Sequence, residues 1–150
     1  MTMQTTAVIF IGMTLGARRG GIVVVAYVLE GLFDLPVFAN TPERGAGLAY
    51  VLGPTGGYLI GFVVAAFVCG WMAARGFGTG LIRASIANAI GTAIILGFGG
   101  MWLAHLFGPV RAFAFGVSPF LLSSFVKIVL GGAIIAAIDR WPLYRVGSNN

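Results

Sequence analysis

Between Met3 and Ile138 the chain passes through five apolar stretches, and its ionisable side chains fall almost entirely in the gaps between them. The stretches are Met3 to Ala17, Gly21 to Leu35, Pro54 to Ala74, Ile82 to Phe107 and Pro119 to Ile138. A bilayer core about 30 Å thick takes roughly 20 helical residues, so the last three are long enough to span it. The first two are short for full spans and need interfacial ends. Charged residues make up 9% of the chain, against about a quarter in a soluble domain, so too little polar surface remains to face water all round. In lipid every backbone N–H and C=O must be paired internally, which leaves helices and closed barrels. The alternating pattern of barrel strands is absent. The expected fold is an all-α integral membrane helix bundle of about five transmembrane helices, forming a single membrane domain over residues 1–150.

The net charge is +5, but the cations are mostly singletons between apolar runs, not a nucleic-acid-binding stripe. If the Arg18-Arg19 turn is cytoplasmic, then Arg75, Arg83, Arg140 and Arg145 share its side, and only Arg44 and Arg111 lie opposite. That bias obeys the positive-inside rule and puts the C-terminus in the cytoplasm of a bacterial inner-membrane protein. Five spans then put the N-terminus outside. Since no cleavable signal peptide is evident, a further helix before Met1 is expected in related chains.

The segment from Leu35 to Tyr58 is broken by Pro36, Pro42 and Pro54, which keep it from being one long helix. It is nevertheless apolar. The loop 36–53 is therefore expected to fold back over the outer side of the bundle as a lid on a small-molecule pocket. Its alternative is an interfacial loop seated among lipid headgroups.

Lys127, the one lysine, sits inside the last apolar stretch. If that helix starts near Phe120, the ammonium lies about 10 Å below the outer surface, where it needs water, an anion or polar partners. Phe120, Ser123, Ser124 and Lys127 fall on one stripe at helical spacing. An aromatic ring, a hydroxyl and a cation in that order suit a small amphiphile with a carboxylate; snorkelling toward headgroups is the competing reading. Gly53-Pro54-Thr55-Gly56-Gly57-Tyr58 lacks the lysine of a phosphate-binding loop, so the chain cannot hydrolyse ATP itself. It offers close backbone approach and first-turn amides at a helix mouth, or simply a tight entry to the helix. Glu30 reads as an interfacial carboxylate, Cys69 as a buried inert thiol, and His105 is given no role. The pairs Gly12/Gly16, Gly57/Gly61, Ala66/Gly70 and Ala133/Ala137 read as packing seams. Some can face partner subunits, a homo-oligomer included. With no nucleophile–base pair and no metal-ligand cluster, neither an enzyme nor a metal site is expected.

Three runs, in order and spacing, resemble the BioY family of biotin-specific S-components of energy-coupling factor transporters. They are Gly16-Ala17-Arg18-Arg19-Gly20, then Leu35-Pro36-Val37-Phe38-Ala39, then Gly53-Pro54-Thr55-Gly56-Gly57-Tyr58-Leu59-Ile60-Gly61-Phe62. The last two together are specific, and the resemblance covers nearly the whole chain. It implies a six-helix subunit that binds biotin from outside, with no cofactor. It also implies partners: a transmembrane coupling subunit and two ATP-hydrolysing subunits. The family's first helix is not represented in this chain. The family's last helix begins with a pattern whose acidic position is Ser124 here, while its lysine is kept as Lys127. On this resemblance biotin would lie among Phe38, Tyr58 and Phe120. Its polar ends would meet Lys127 and Ser124, helped by backbone groups of Gly53, Thr55, Gly56 and Gly57. The Ser124 departure leaves two other outcomes: an S-component for a different small vitamin, or a non-transporting membrane protein derived from the family.

Overall fold

The computed structural model describes residues 4–33, 35 and 47–140, all of whose regular structure is helical. In order these are α1 (Gln4–Leu32), α2 (Gly47–Leu52), α3 (Gly56–Met72), α4 (Leu81–Phe107), α5 (Pro109–Ala112) and α6 (Ser118–Asp139). A π-helical turn, Ala73–Phe77, extends α3, and a second, Phe113–Val117, joins α5 to α6. By length and composition Gly56–Phe77 and Leu81–Phe107 can each cross a membrane, and Gln4–Leu32 passes the same test only as an unbroken run. The bent pair Pro109–Leu121 and Ser123–Ile138 makes a fourth such stretch. Ile22, Trp71, Ile82, Met101 and Val126 are among many large apolar side chains left exposed on the outside. Water would not tolerate that much contiguous apolar surface, and lipid does.

The first run is not a straight helix. Gly16 has φ 82° and ψ 170°, a backbone conformation that a residue with a Cβ rarely adopts. There the chain turns back on itself. A Cβ on Gly20 would stand 2.8 Å from the Cα of Gly12, and the amide of Gln4 donates to the hydroxyl of Tyr27. Both pairs straddle Gly16 at equal or nearly equal distances along the chain, so residues 4–15 and 17–32 form an antiparallel helical hairpin. The two expected short helices are these arms, and they are joined at Gly16 rather than at Arg18-Arg19, which lie within the second arm.

Glycine lets the hairpin lie tight against α3. A Cβ on Gly12 would sit 2.9 Å from the Cα of Ala66, and one on Gly70 would sit 2.5 Å from the Cα of Ala17. These two contacts put Gly12 and the Ala66/Gly70 pair in helix–helix seams, as expected; Gly57 and Gly61 lie against α4 in the same way. Ala133 and Ala137, by contrast, are exposed. The core, including Ile9, Val24, Phe62, Cys69 and Ile95, is built mainly from α1, α3 and α4, with Tyr50, Ala112 and Ile135 added from α2, α5 and α6. On the other side α4 carries α6.

These packings sort the cations by end. The hairpin tip sits beside Gly70, a Cβ on Gly76 would stand 3.8 Å from the Arg83 guanidinium, and Gly132 rests on Ser85. Arg18, Arg19, Arg75, Arg83 and Arg140 therefore gather at one end, where the Arg75 guanidinium stacks 4.0 Å over the Trp71 ring. Arg111 alone among the described arginines lies at the other end. Arg44 and Arg145 are outside the described residues, as is most of the expected lid: of 36–53, the structure describes 47–53, mainly the short α2.

Candidate functional site

At the end away from the arginine cluster α4 stops at Gly108, whose φ of 89° breaks the helix. The chain then crosses through α5 and the Phe113–Val117 π turn before entering α6 at Ser118-Pro119. A π turn widens the helix locally and displaces its side chains from the ordinary register. Between this crossing and the start of α3 lies a cavity of about 680 Å³, lined by Pro54, Thr55, Tyr58, Leu103, Phe107, Arg111, Ala112, Phe115, Gly116 and Phe120. Its size falls within the roughly 300–1,000 Å³ common for small-molecule sites.

Tyr58 forms part of the floor. Its ring is only 3% exposed and lies where a side chain on Gly99 would have to be. Its hydroxyl donates to the Gly116 carbonyl over 2.7 Å, tying α3 to the π turn. Leu103, Ala112 and Gly116 are also buried, whereas Phe107, Arg111 and Phe115 are exposed around the rim. The site is thus apolar below and carries a cation at its edge. The Thr55 hydroxyl leans toward the Tyr50 carbonyl at 3.4 Å, leaving its oxygen able to accept.

Of the residues singled out from sequence, Thr55, Tyr58 and Phe120 come together in this lining. Gly53, Gly56 and Gly57 stand behind it. The Gly53 carbonyl accepts from the Trp102 indole over 3.0 Å, and a Cβ on Gly57 would stand 2.7 Å from the Phe98 carbonyl oxygen. The Gly56 and Tyr58 amides bond to Gly53 and Thr55 within the turn, at 3.2 and 3.1 Å. Ser124 and Lys127 continue down α6 from Phe120; Ser124 is buried and Lys127 half-buried. The Lys127 carbonyl accepts from Asn88 over 3.1 Å. Phe38 lies outside the described residues.

Arg111, Phe107 and Phe115 were not singled out from sequence. The available signal was their grouping: a cation on the side poor in cations, among Phe107, Phe113, Phe115 and Phe120, between Gly108-Pro109 and Ser118-Pro119.

The model of the BioY family matches residues 1–143. The chain belongs to the BioY family. Two relatives illustrate the range. The protein named probable biotin transporter BioY of Pyrococcus horikoshii is 37% identical over 127 residues, covering 85% of this chain and 72% of that protein. The biotin transporter BioY of Thermotoga maritima is 33% identical over 145 residues, covering 96% of this chain and 83% of that one. A crystal structure of the S-component for biotin from an ECF-type ABC transporter superposes with a TM-score of 0.82. It shares 23% identity and covers 95% of this chain and 78% of that one, so the two chains share a helical fold. As a member of this family the chain is a multi-pass membrane protein.

Proposed function

We propose that this chain is the biotin-capturing subunit of a vitamin uptake transporter and that biotin binds in the cavity between α3, α4, α5 and α6. It is a transport protein, not an enzyme, and biotin is its cargo, not a cofactor. The observation that carries the reading is the cavity itself. It opens at the end opposite the arginine cluster, with an apolar floor and aromatic walls. Biotin combines a compact fused ring with an aliphatic chain and a carboxylate, which asks for that division of surfaces. By the positive-inside rule the arginine cluster, and the C-terminus beyond Arg140, faces the cytoplasm of a bacterial inner membrane, so the cavity faces outward.

On this reading Thr55, Tyr58 and Phe120 contact the ligand directly, and Lys127 with Ser124 supplies polar groups below that apolar floor, outside the cavity lining, along the α6 stripe. Gly53, Gly56 and Gly57 shape the wall that carries Thr55 and Tyr58. The segment 36–53, with Phe38, closes over the top. Transport is driven by a transmembrane coupling subunit and two ATP-hydrolysing subunits, because this chain has no phosphate loop of its own. The test is binding of labelled biotin to the detergent-purified chain, beside Lys127→Ala and in competition with unlabelled vitamins. Tight binding displaced by biotin alone, and weakened in Lys127→Ala, supports both ligand and lower site. Binding unchanged in the variant removes Lys127 from the site. No binding by the wild type overturns the reading of the ligand.

A further inference from the structure

We propose that Arg111 is the specificity-determining residue that meets the ligand's carboxylate at the mouth of the cavity. The inference rests on the biotin reading above and assigns an orientation to it. Three observations converge. Among the described residues Arg111 is the one cation in the cavity lining, and no acidic residue lines the cavity with it. Among the described residues it makes no hydrogen bond or ion pair, so its five N–H donors are uncommitted there. It is exposed at the rim, while the Tyr58, Leu103 and Gly116 floor is buried.

Those positions orient an amphiphile. A carboxylate pushed to the floor would lose water against Leu103 and the Tyr58 ring, whose hydroxyl proton is already given to Gly116. At the rim it keeps part of its hydration and gains paired, charge-assisted hydrogen bonds from a planar guanidinium. The fused ring then goes inward among Tyr58, Leu103 and Phe120. Lys127 lies about two helical turns, roughly 10 Å, below Phe120. It lies below the ring and outside the cavity lining, where a neutral ureido carbonyl pointing inward would be its partner.

The experiment compares biotin with its methyl ester, which keeps the ring and chain but removes the charge. Both are measured on the detergent-purified wild type, Arg111→Gln, Arg111→Lys and Lys127→Ala. Arg111→Gln should weaken biotin about 10- to 100-fold, the span expected for losing a hydrogen-bonded ion pair, and leave the ester unchanged. Arg111→Lys should keep part of the preference for the acid, and Lys127→Ala should weaken acid and ester alike. The inference is overturned if Arg111→Gln weakens both ligands equally, if it changes neither, or if the acid preference disappears in Lys127→Ala and survives in Arg111→Gln. A wild type that binds neither ligand overturns the underlying biotin reading instead, so the two failures are distinguishable.

Discussion

Along its first half α4 presents Ala84, Ala87, Asn88 and Gly91 to its neighbours, and α6 closes onto it; at its far end Leu103 and Phe107 line the cavity that separates it from the crossing into α6. Near the arginine-bearing end Gly132 of α6 meets Ser85 with almost no space between them. Gly131 meets the Asn88 amide, which donates to the Lys127 and Ile128 carbonyls at 3.1 and 3.3 Å. The space left between this half, α6 and the first hairpin arm is about 240 Å³, and its one strongly polar side chain is Asn88, with both donors directed at α6. At the far end the cavity is about 680 Å³ and holds a guanidinium without a partner among the described residues. Small side chains bring helix backbones together in lipid, whereas large aromatic ones at a helix end splay the chain around them. The difference between a seam and a site is therefore one of side-chain volume, together with whether the polar groups are already committed.

The largest effect that would test this contrast is at the seam. Gly132→Leu must push against the backbone of Ser85, whose Cα and N would lie 2.9 Å from the new Cβ. Overpacking of this kind costs about 3 kcal/mol at the upper end of its usual range. Gly97, with nothing within 4 Å of a built Cβ, is the matched control, and Gly97→Leu should stay within about 0.5 kcal/mol of wild type. Thermal unfolding in detergent, followed by tryptophan fluorescence, measures both, and equal losses at the two positions would break the comparison.

A smaller loss is expected from Asn88→Leu, which removes the hydrogen bonds to α6. Interhelical hydrogen bonds in membranes contribute about 1–2 kcal/mol at most, so the same unfolding assay should show a drop of that order. An unchanged midpoint would mean that α4 and α6 are held by packing alone.

The smallest effect belongs to the site. Tyr58→Phe removes the donor from the Gly116 carbonyl while keeping the ring in place. A neutral hydrogen bond is worth about 1 kcal/mol, which corresponds to roughly a fivefold loss of biotin affinity if the π turn relaxes. The unfolding midpoint should move less than in Gly132→Leu. A loss of affinity above a hundredfold would instead make the hydroxyl a direct ligand contact.

How far the site could be read in advance differs by residue. Thr55, Tyr58 and Phe120 were legible because each stands at a helix entry marked by proline or glycine, and helix entries on one side of a bundle converge. Arg111 was legible only as a topology signal, because nothing in its neighbours' spacing announces a short helix followed by a π turn. The backbone groups of Gly56 and Gly57 looked open in a linear reading, but they pack against the Trp102 and Phe98 region of α4, a contact made across more than forty residues of chain.

By itself, the order of residues determined that this chain lives in a membrane, that it is helical, and that its cations gather at one end. Those properties follow from hydropathy, backbone satisfaction and charge counting, all of which are local or additive along the chain. Only the tertiary structure decided that the first two helices are one hairpin about Gly16, that Asn88 ties α4 to α6, and that Arg111 faces the cavity. Each of these depends on which surfaces meet, and that is settled by packing between segments far apart in sequence.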